Sequence, residues 1–252
     1  MTGLGPLIKK EILEQLRTYK FLIVFGIFVF FGLTTPLLLK YLPQILELAG
    51  TSELEINIPP PTAIQSLSEY TSTIGQIGVL VAVLMAMGSI ANEIRHNTII
   101  MTLSKPISRA AFVNAKLITL SSTFLLSLAI ASLFCYAYTV WLIGSAGITE
   151  FVVQNLLLGL FLIFCLAVTL LFSSLFTSSL AAGGLSIAFL VAQAALSAIQ
   201  NIGDYLPGKL LSWGNMILSG EGGNYWWSLV ITVVFIVGCT YPTQRLLNHK
   251  DL

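Results

Sequence analysis

Charge-free apolar runs recur along the chain at 21–39, 74–90, 117–149, 151–203 and 225–241. Runs this long fit membrane-spanning helices of about 20 residues. The run 151–203 is too long for one crossing. As a single helix it would reach about 80 Å at about 1.5 Å per residue, against about 30 Å of hydrocarbon. It must fold back once, and the polar cluster Ser173, Ser174, Thr177, Ser178 and Ser179 marks the break. Small hydroxyl residues there can satisfy backbone groups at a tight turn. The expected fold is therefore all-α, a polytopic membrane protein with six transmembrane helices. The spans fall at about 21–41, 72–92, 116–143, 151–174, 179–202 and 225–245, within a single membrane domain covering 1–252.

The segments between the runs carry patterns of their own. In 4–19, Leu4, Ile8, Ile12, Leu16 and Tyr19 recur at helical spacing, with Lys10, Glu14 and Arg17 opposite them. This predicts an amphipathic helix lying in the membrane interface ahead of the first span. Packing on a soluble partner is the alternative. The segments 43–70 and 203–224 are expected outer loops. The first is acidic and holds Pro59, Pro60 and Pro61, and reads either as a cover over the outer mouth or as a mobile connector. The second is partly apolar, with Leu210, Leu211, Trp213, Met216, Ile217 and Leu218, and can dip back into the outer leaflet.

Composition agrees with the pattern. The 252 residues are 56% hydrophobic and only 9% charged, against about 25% charged in soluble domains. Such a chain cannot cover a water-exposed surface, which excludes a soluble enzyme. A net charge of +1 suggests no nucleic-acid partner. The charges that exist are sorted by side. Lys9, Lys10, Arg17, Lys20, Arg95, Lys105, Arg109, Lys116, Arg245 and Lys250 share one side of a six-span chain, and only Lys40 and Lys209 fall on the other. That asymmetry predicts a cell-membrane protein with both termini cytoplasmic. Aromatic residues at span ends, Tyr225, Trp226 and Trp227 among them, read as interfacial anchors, with ligand stacking the minority alternative.

The segment 93–112, between spans two and three on the basic side, is the strongest functional candidate. It mixes charge with a short apolar stretch, 99–103, that cannot cross a membrane. Pro106 ends any preceding helix, and Ser108 can cap the next one. An ordinary positive-inside loop is the plain reading. The segment's length and its apolar residues favour a protein docking site.

Little catalytic chemistry is available. Gly203 through Gly208-Lys209 has the outline of a phosphate-binding loop, but Leu210 stands where a magnesium-binding hydroxyl is needed. His96 and His249 have no partners at metal spacing, and Cys135, Cys165 and Cys239 lie in apolar runs as packing residues. No metal site and no catalytic residue is expected. The spans also lack the ionisable groups that ion-coupled carriers use. Their interior polar groups are neutral: Gln76, Gln193, Gln200 and scattered Ser and Thr.

The arrangement resembles the ABC-2-type permeases, the membrane subunits of ATP-binding-cassette exporters. The helix ahead of the first span, the six-span count, the apolar loop before the last span and the segment 93–116 carry the likeness. In that segment Glu93, Asn97-Thr98, Ile99 through Leu103, Pro106-Ile107-Ser108-Arg109 and Lys116 follow the family pattern, except that Asn97 replaces the usual Gly. Asn tolerates the left-handed conformation better than most residues. Among subfamilies, the chain is similar to permeases paired with a separate ATPase, such as those of nitrous-oxide reductase maturation or peptide-antibiotic resistance. The resemblance implies two ATPase subunits, a second and identical permease subunit, and a role for an extracytoplasmic accessory protein. It implies no cofactor in this chain, ATP and magnesium being held by the ATPase. It assigns coupling to Glu93, Arg95, Asn97, Thr98, Ile99, Ile100, Leu103, Pro106, Arg109 and Lys116. Export of an amphipathic, peptide or lipid-like substrate is the expected function. A non-transporting scaffold or sensor and an ion-coupled carrier are the rivals.

Overall fold

The computed structural model describes residues 3–48, 60–96, 108–199 and 202–249. Among these, six helices are long and apolar enough to cross a membrane. A short helix, α1 (Leu4–Arg17), precedes the first of them, α2 (Lys20–Leu48). The junction between them turns on Tyr19, whose φ of 57° places a bulky residue where glycine is usual. Thr18 closes α1 by donating both its N–H and its hydroxyl to the Glu14 carbonyl.

The second span is built in two pieces, α3 (Ala63–Ala86) and α4 (Ala91–Arg95). Thr62 caps α3, its hydroxyl accepting from Gln65 N–H at 3.2 Å. The third span, α5 (Arg109–Leu142), starts at Ser108, whose hydroxyl accepts from Ala111 N–H at 3.2 Å. The long apolar run divides into α6 (Ile148–Leu175) and α7 (Ser179–Ser197). A 3-10 turn (Gly203–Tyr205) and α8 (Lys209–Leu218) follow, and α9 (Trp226–His249) makes the sixth span.

Several bounds differ from the sequence reading. The expected outer loop 43–70 is helical at both ends, because α2 runs on to Leu48 and α3 already begins at Ala63. Pro43 does not stop α2, although it lies inside it, as does Pro36. Just before Pro36, Thr34 and Thr35 donate their hydroxyls to the Phe30 and Phe31 carbonyls at 2.8 Å, back-bonds of the kind that bend a helix and distinct from the Gly32 and Leu39 carbonyls that the two prolines free. The expected outer loop 203–224 contains α8, which buries Leu210 and Trp213 against the bundle.

Helix α6 forms the axis of the bundle. It packs against α3, α5, α7, α8 and α9. Of its most apolar window 72% is buried, against 22–50% for the other five spans. Those five turn Leu22, Leu84, Leu133, Leu180 and Val234 outward, a surface that suits lipid and not water. Glutamine Gln244, near the end of α9, donates to Asn114 near the start of α5 at 3.2 Å. The two helices therefore meet at the end of the bundle that holds α1, the basic end. At the opposite end, Lys209 pairs with Asp204 at 2.8 Å and sits over the Tyr225 ring at 4.4 Å. Tyr225 and Trp226 pack edge-on against Trp213, while Trp227 is exposed.

Helix α2 packs tightly on α5 at Gly32. A Cβ there would stand 2.8 Å from the Ala131 carbonyl oxygen, which is backbone and cannot rotate away. Gly32→Val is expected to cost about 1–3 kcal/mol through overpacking. A lowered thermal midpoint in nanodiscs checks this, with Gly26→Val as control, since a Cβ at Gly26 meets open space.

Candidate functional site

The two helices that flank the segment 97–107 enter the bundle through a polar site at the basic end. The first part of it repairs the break in span two. Between Ala86 and Ala91 the α-helical ladder is interrupted: Ser89 N–H reaches back only to the Ala86 carbonyl, at 3.0 Å. The amides of Ile90 and Ala91 both donate to the hydroxyl of Ser173, on α6, at 3.1 and 3.0 Å. That hydroxyl donates in turn to the Met87 carbonyl at 2.8 Å. A serine hydroxyl has one proton and two lone pairs, so Ser173 is fully engaged. It replaces the missing rungs from a fully buried position. Gly183 on α7 lets Met87 approach; a Cβ there would meet the Met87 sulfur at 2.7 Å.

The second part is a buried ionic cluster. Lys116, two turns into α5, is 2% exposed. Its Nζ lies 2.7 Å from a carboxylate oxygen of Glu93 on α4 and 3.0 Å from one of Glu11 on α1. Lys10 stands 3.8 Å from the same Glu93 oxygen and 3.7 Å from that of Glu11, with its side chain half-exposed. Two carboxylates thus face two cations, and three separate helices meet at one ammonium. Next to it, Gln15 of α1 hydrogen-bonds Thr123 of α5. Lys116 also lies over the Phe112 ring at 5.0 Å.

Of the ten residues assigned to coupling from the sequence, the structure brings Glu93 and Lys116 together. Arg95 is exposed at the end of α4, and Arg109 opens α5 half-buried. Asn97, Thr98, Ile99, Ile100, Leu103 and Pro106 lie outside the described residues. Of the predicted apolar stripe on α1, Ile8 packs on the core, while Ile12, Leu16 and Tyr19 are exposed with Leu13 beside them. The face that α1 turns to the protein is Leu7, Glu11 and Gln15. Its polar members meet Lys116 and Thr123, so this is a second stripe at helical spacing that the apolar one masks in the sequence. Ser173 departs from its expected role. It is not a turn residue for the α6–α7 connection but a staple to span two, and the Ser178 side chain makes no cap bond.

Removing the hydroxyl in Ser173→Ala leaves two amides and a carbonyl unpaired in an apolar interior. A loss of about 1–3 kcal/mol per orphaned group is expected, read as a lowered thermal midpoint and as faster amide exchange at 87–91. Lys116→Ala strands two carboxylates and is expected to cost about 3–5 kcal/mol. The triple variant Glu11→Gln, Glu93→Gln, Lys116→Met should recover most of that loss. Equal destabilisation of the single and triple variants would show that the charges are not coupled.

This geometry has relatives. A family model described as ABC-2 family transporter protein matches residues 6–212. The chain is also similar to an uncharacterized transmembrane protein, YxlG, of Bacillus subtilis (strain 168). The two are 25% identical over 242 residues, covering 94% of each chain. With the match running from α1 through the first five spans into α8, most of the chain, the chain belongs to the ABC-2 family of transporter proteins.

Proposed function

We propose that this chain is the permease subunit of an ATP-driven exporter, and that its polar site transmits the motor's movement. Family membership supports an ABC transporter permease that works with an ATPase subunit. In our reading two copies of the chain join two ATPase subunits, which hold the ATP and magnesium. The basic end faces the cytoplasm, as the distribution of Lys and Arg favours. The cargo is amphipathic, a peptide or a lipid-like molecule, because the spans are apolar and poor in charge. Helix α1 rests in the cytoplasmic interface through Ile12, Leu13, Leu16 and Tyr19, which are exposed although apolar.

The observation that carries the coupling role is the Glu93–Lys116–Glu11 cluster. The segment 97–107 leaves α4 just beyond Glu93 and re-enters at α5 just before Lys116. A push on that segment reaches the roots of spans two and three together, because the buried ion pair ties them, and reaches α1 through the same lysine. The broken turn above α4 is the place where such a push can bend span two. Ser173 supplies the alternative hydrogen bonds that keep a bend affordable in hydrocarbon.

The docking surface itself is assigned to Ile99, Ile100 and Leu103, with Arg95 and Arg109 at its rim. Apolar anchors dominate such interfaces and rim charges add less. Leu103→Asp should therefore reduce co-purification of the ATPase at least tenfold, a loss of about 1.4 kcal/mol or more, while Arg109→Ala changes it less than threefold. Equal recovery of the ATPase with both variants overturns the assignment. Cysteines at Ser104 and Ser108 should react with a membrane-impermeant maleimide only from the cytoplasmic side. ATP-dependent flux in proteoliposomes separates a transporter from a scaffold.

A further inference from the structure

Helix α1 turns Leu7, Glu11 and Gln15 to the bundle, while Ile12, Leu16 and Tyr19 point away from it. Between these two faces runs a groove of about 270 Å³, bounded by α1, by α5 and by Phe21 at the start of α2. Its apolar lining includes Ile12, Leu16 and Leu126, all of them exposed, so the groove opens to the surroundings of the bundle. None of its described lining residues is charged.

The protons of the groove's hydroxyls are already committed. Thr119 and Ser122 donate to the Ala115 and Ile118 carbonyls at 2.8 and 2.6 Å, and Thr123 donates to Gln15 Oε1. Gln15 is 6% exposed, and its Nε2 makes no hydrogen bond among the described residues. That nitrogen keeps open surface, unlike Gln154 Oε1, an unpartnered acceptor sealed where Gln154 donates to Thr71 and Asn215. Gln15 also borders a polar crevice beside Glu14 and Lys20, so its amide, with two protons to give, stands at the junction of crevice and groove. What the groove lacks is an acceptor. Its hydroxyls have lone pairs to spare, whereas an N–H facing hydrocarbon with nothing to donate to is costly.

An amphipathic helix settles at the boundary between lipid headgroups and acyl chains. The acceptors abundant at that depth are the ester carbonyls of glycerophospholipids. The geometry points to a binding site for one diacyl glycerophospholipid of the cytoplasmic leaflet. One ester carbonyl accepts from Gln15 Nε2, and the chain attached to it lies along Leu16, Phe21 and Leu126. The headgroup stays in water, because a neutral groove offers it no counter-charge. The lipid is a retained partner and not cargo. Gln15 stands one turn beyond Glu11, and Thr123 two turns beyond Lys116, so the guest fills the corner beside the ionic cluster and holds α1 against α5. Its place in the cytoplasmic leaflet rests on the orientation proposed above. Maleimide labelling at 104 and 108 tests that orientation separately: a reversed chain moves the site to the other leaflet without removing its preference for an ester.

The test uses the full chain in vesicles of diether phosphatidylcholine, a host without carbonyls. Two trace probes are compared, a diester and a diether phosphatidylcholine carrying the same photoactivatable diazirine in one chain. Wild type is expected to form adducts in 12–21 and 119–126, about fivefold more with the diester than with the diether, one hydrogen bond's worth of affinity. Ser122→Phe, at an exposed position of the groove, should lower adducts of both probes to the level of the lipid-facing stretch 130–137 of the same helix. Gln15→Met should keep the adducts and make the two probes equal, with its thermal midpoint read alongside to confirm folding. Equal labelling of wild type by the two probes overturns the site. So does labelling that Ser122→Phe leaves unchanged, or a diester preference that survives in Gln15→Met. Failure of both probes to label 12–21 and 119–126 would assign the groove to a protein segment and also overturn it.

Discussion

In hydrocarbon a backbone amide has no water to turn to, so any interruption of a helix must be met by another part of the protein. That constraint governs span two. Its ladder fails between Ala86 and Ala91, and the amides it releases are gathered by one hydroxyl, that of Ser173. The staple comes from α6, the helix around which the others are arranged, so the weak point of a peripheral span is referenced to the most buried element of the bundle. A bend there is anchored above by Ser173 and below by the Glu93–Lys116 pair of α4, and α4 leads directly to the segment that the transporter reading gives to the ATPase.

The ionic cluster works by the same rule with stronger terms. Lys116 would be costly alone in an apolar interior. It is retained because Glu93 and Glu11 both reach it, and the price of that arrangement is rigidity: α1, α4 and α5 cannot separate without exposing a charge to lipid. Buried ion pairs contribute little net stability compared with apolar packing. Their use here is geometric, since they hold three helices at one point at the end of the bundle where movement must be received. Staple and cluster together make the root of span two rigid against α5 and α1, with compliance concentrated in the turn above it.

The sequence discloses the membrane fold because its signal is collective. Dozens of apolar residues and a one-sided distribution of Lys and Arg all report the same quantity, and Pro36 or Pro43 inside α2 does not disturb it. The functional contacts are different in kind. Glu11 and Lys116 are 105 positions apart, and Ser173 and Met87 are 86. No local period links such pairs. Glu11 and Gln15 do share a helical spacing, but a reading that seeks apolar stripes treats them as surface. Ser173 lies in a serine-rich stretch whose commonest use is a turn, and that use hid its longer reach. Gln154 gave no signal at all, because a glutamine in an apolar run acquires meaning only from what stands opposite it.

The order of residues along the chain adds a consequence for synthesis. Glu11 and Glu93 both precede Lys116, so by the time the lysine emerges from the ribosome its counter-charges have already been made. Span three can move into the bilayer with its cation neutralised on arrival, before α6 brings Ser173 to the broken turn of span two. The trio Thr71, Gln154 and Asn215 follows the opposite schedule. The bonds that Gln154 makes to Thr71 and Asn215 are complete only once α8 has been translated, and Gln244 ties the basic end to Asn114 later still.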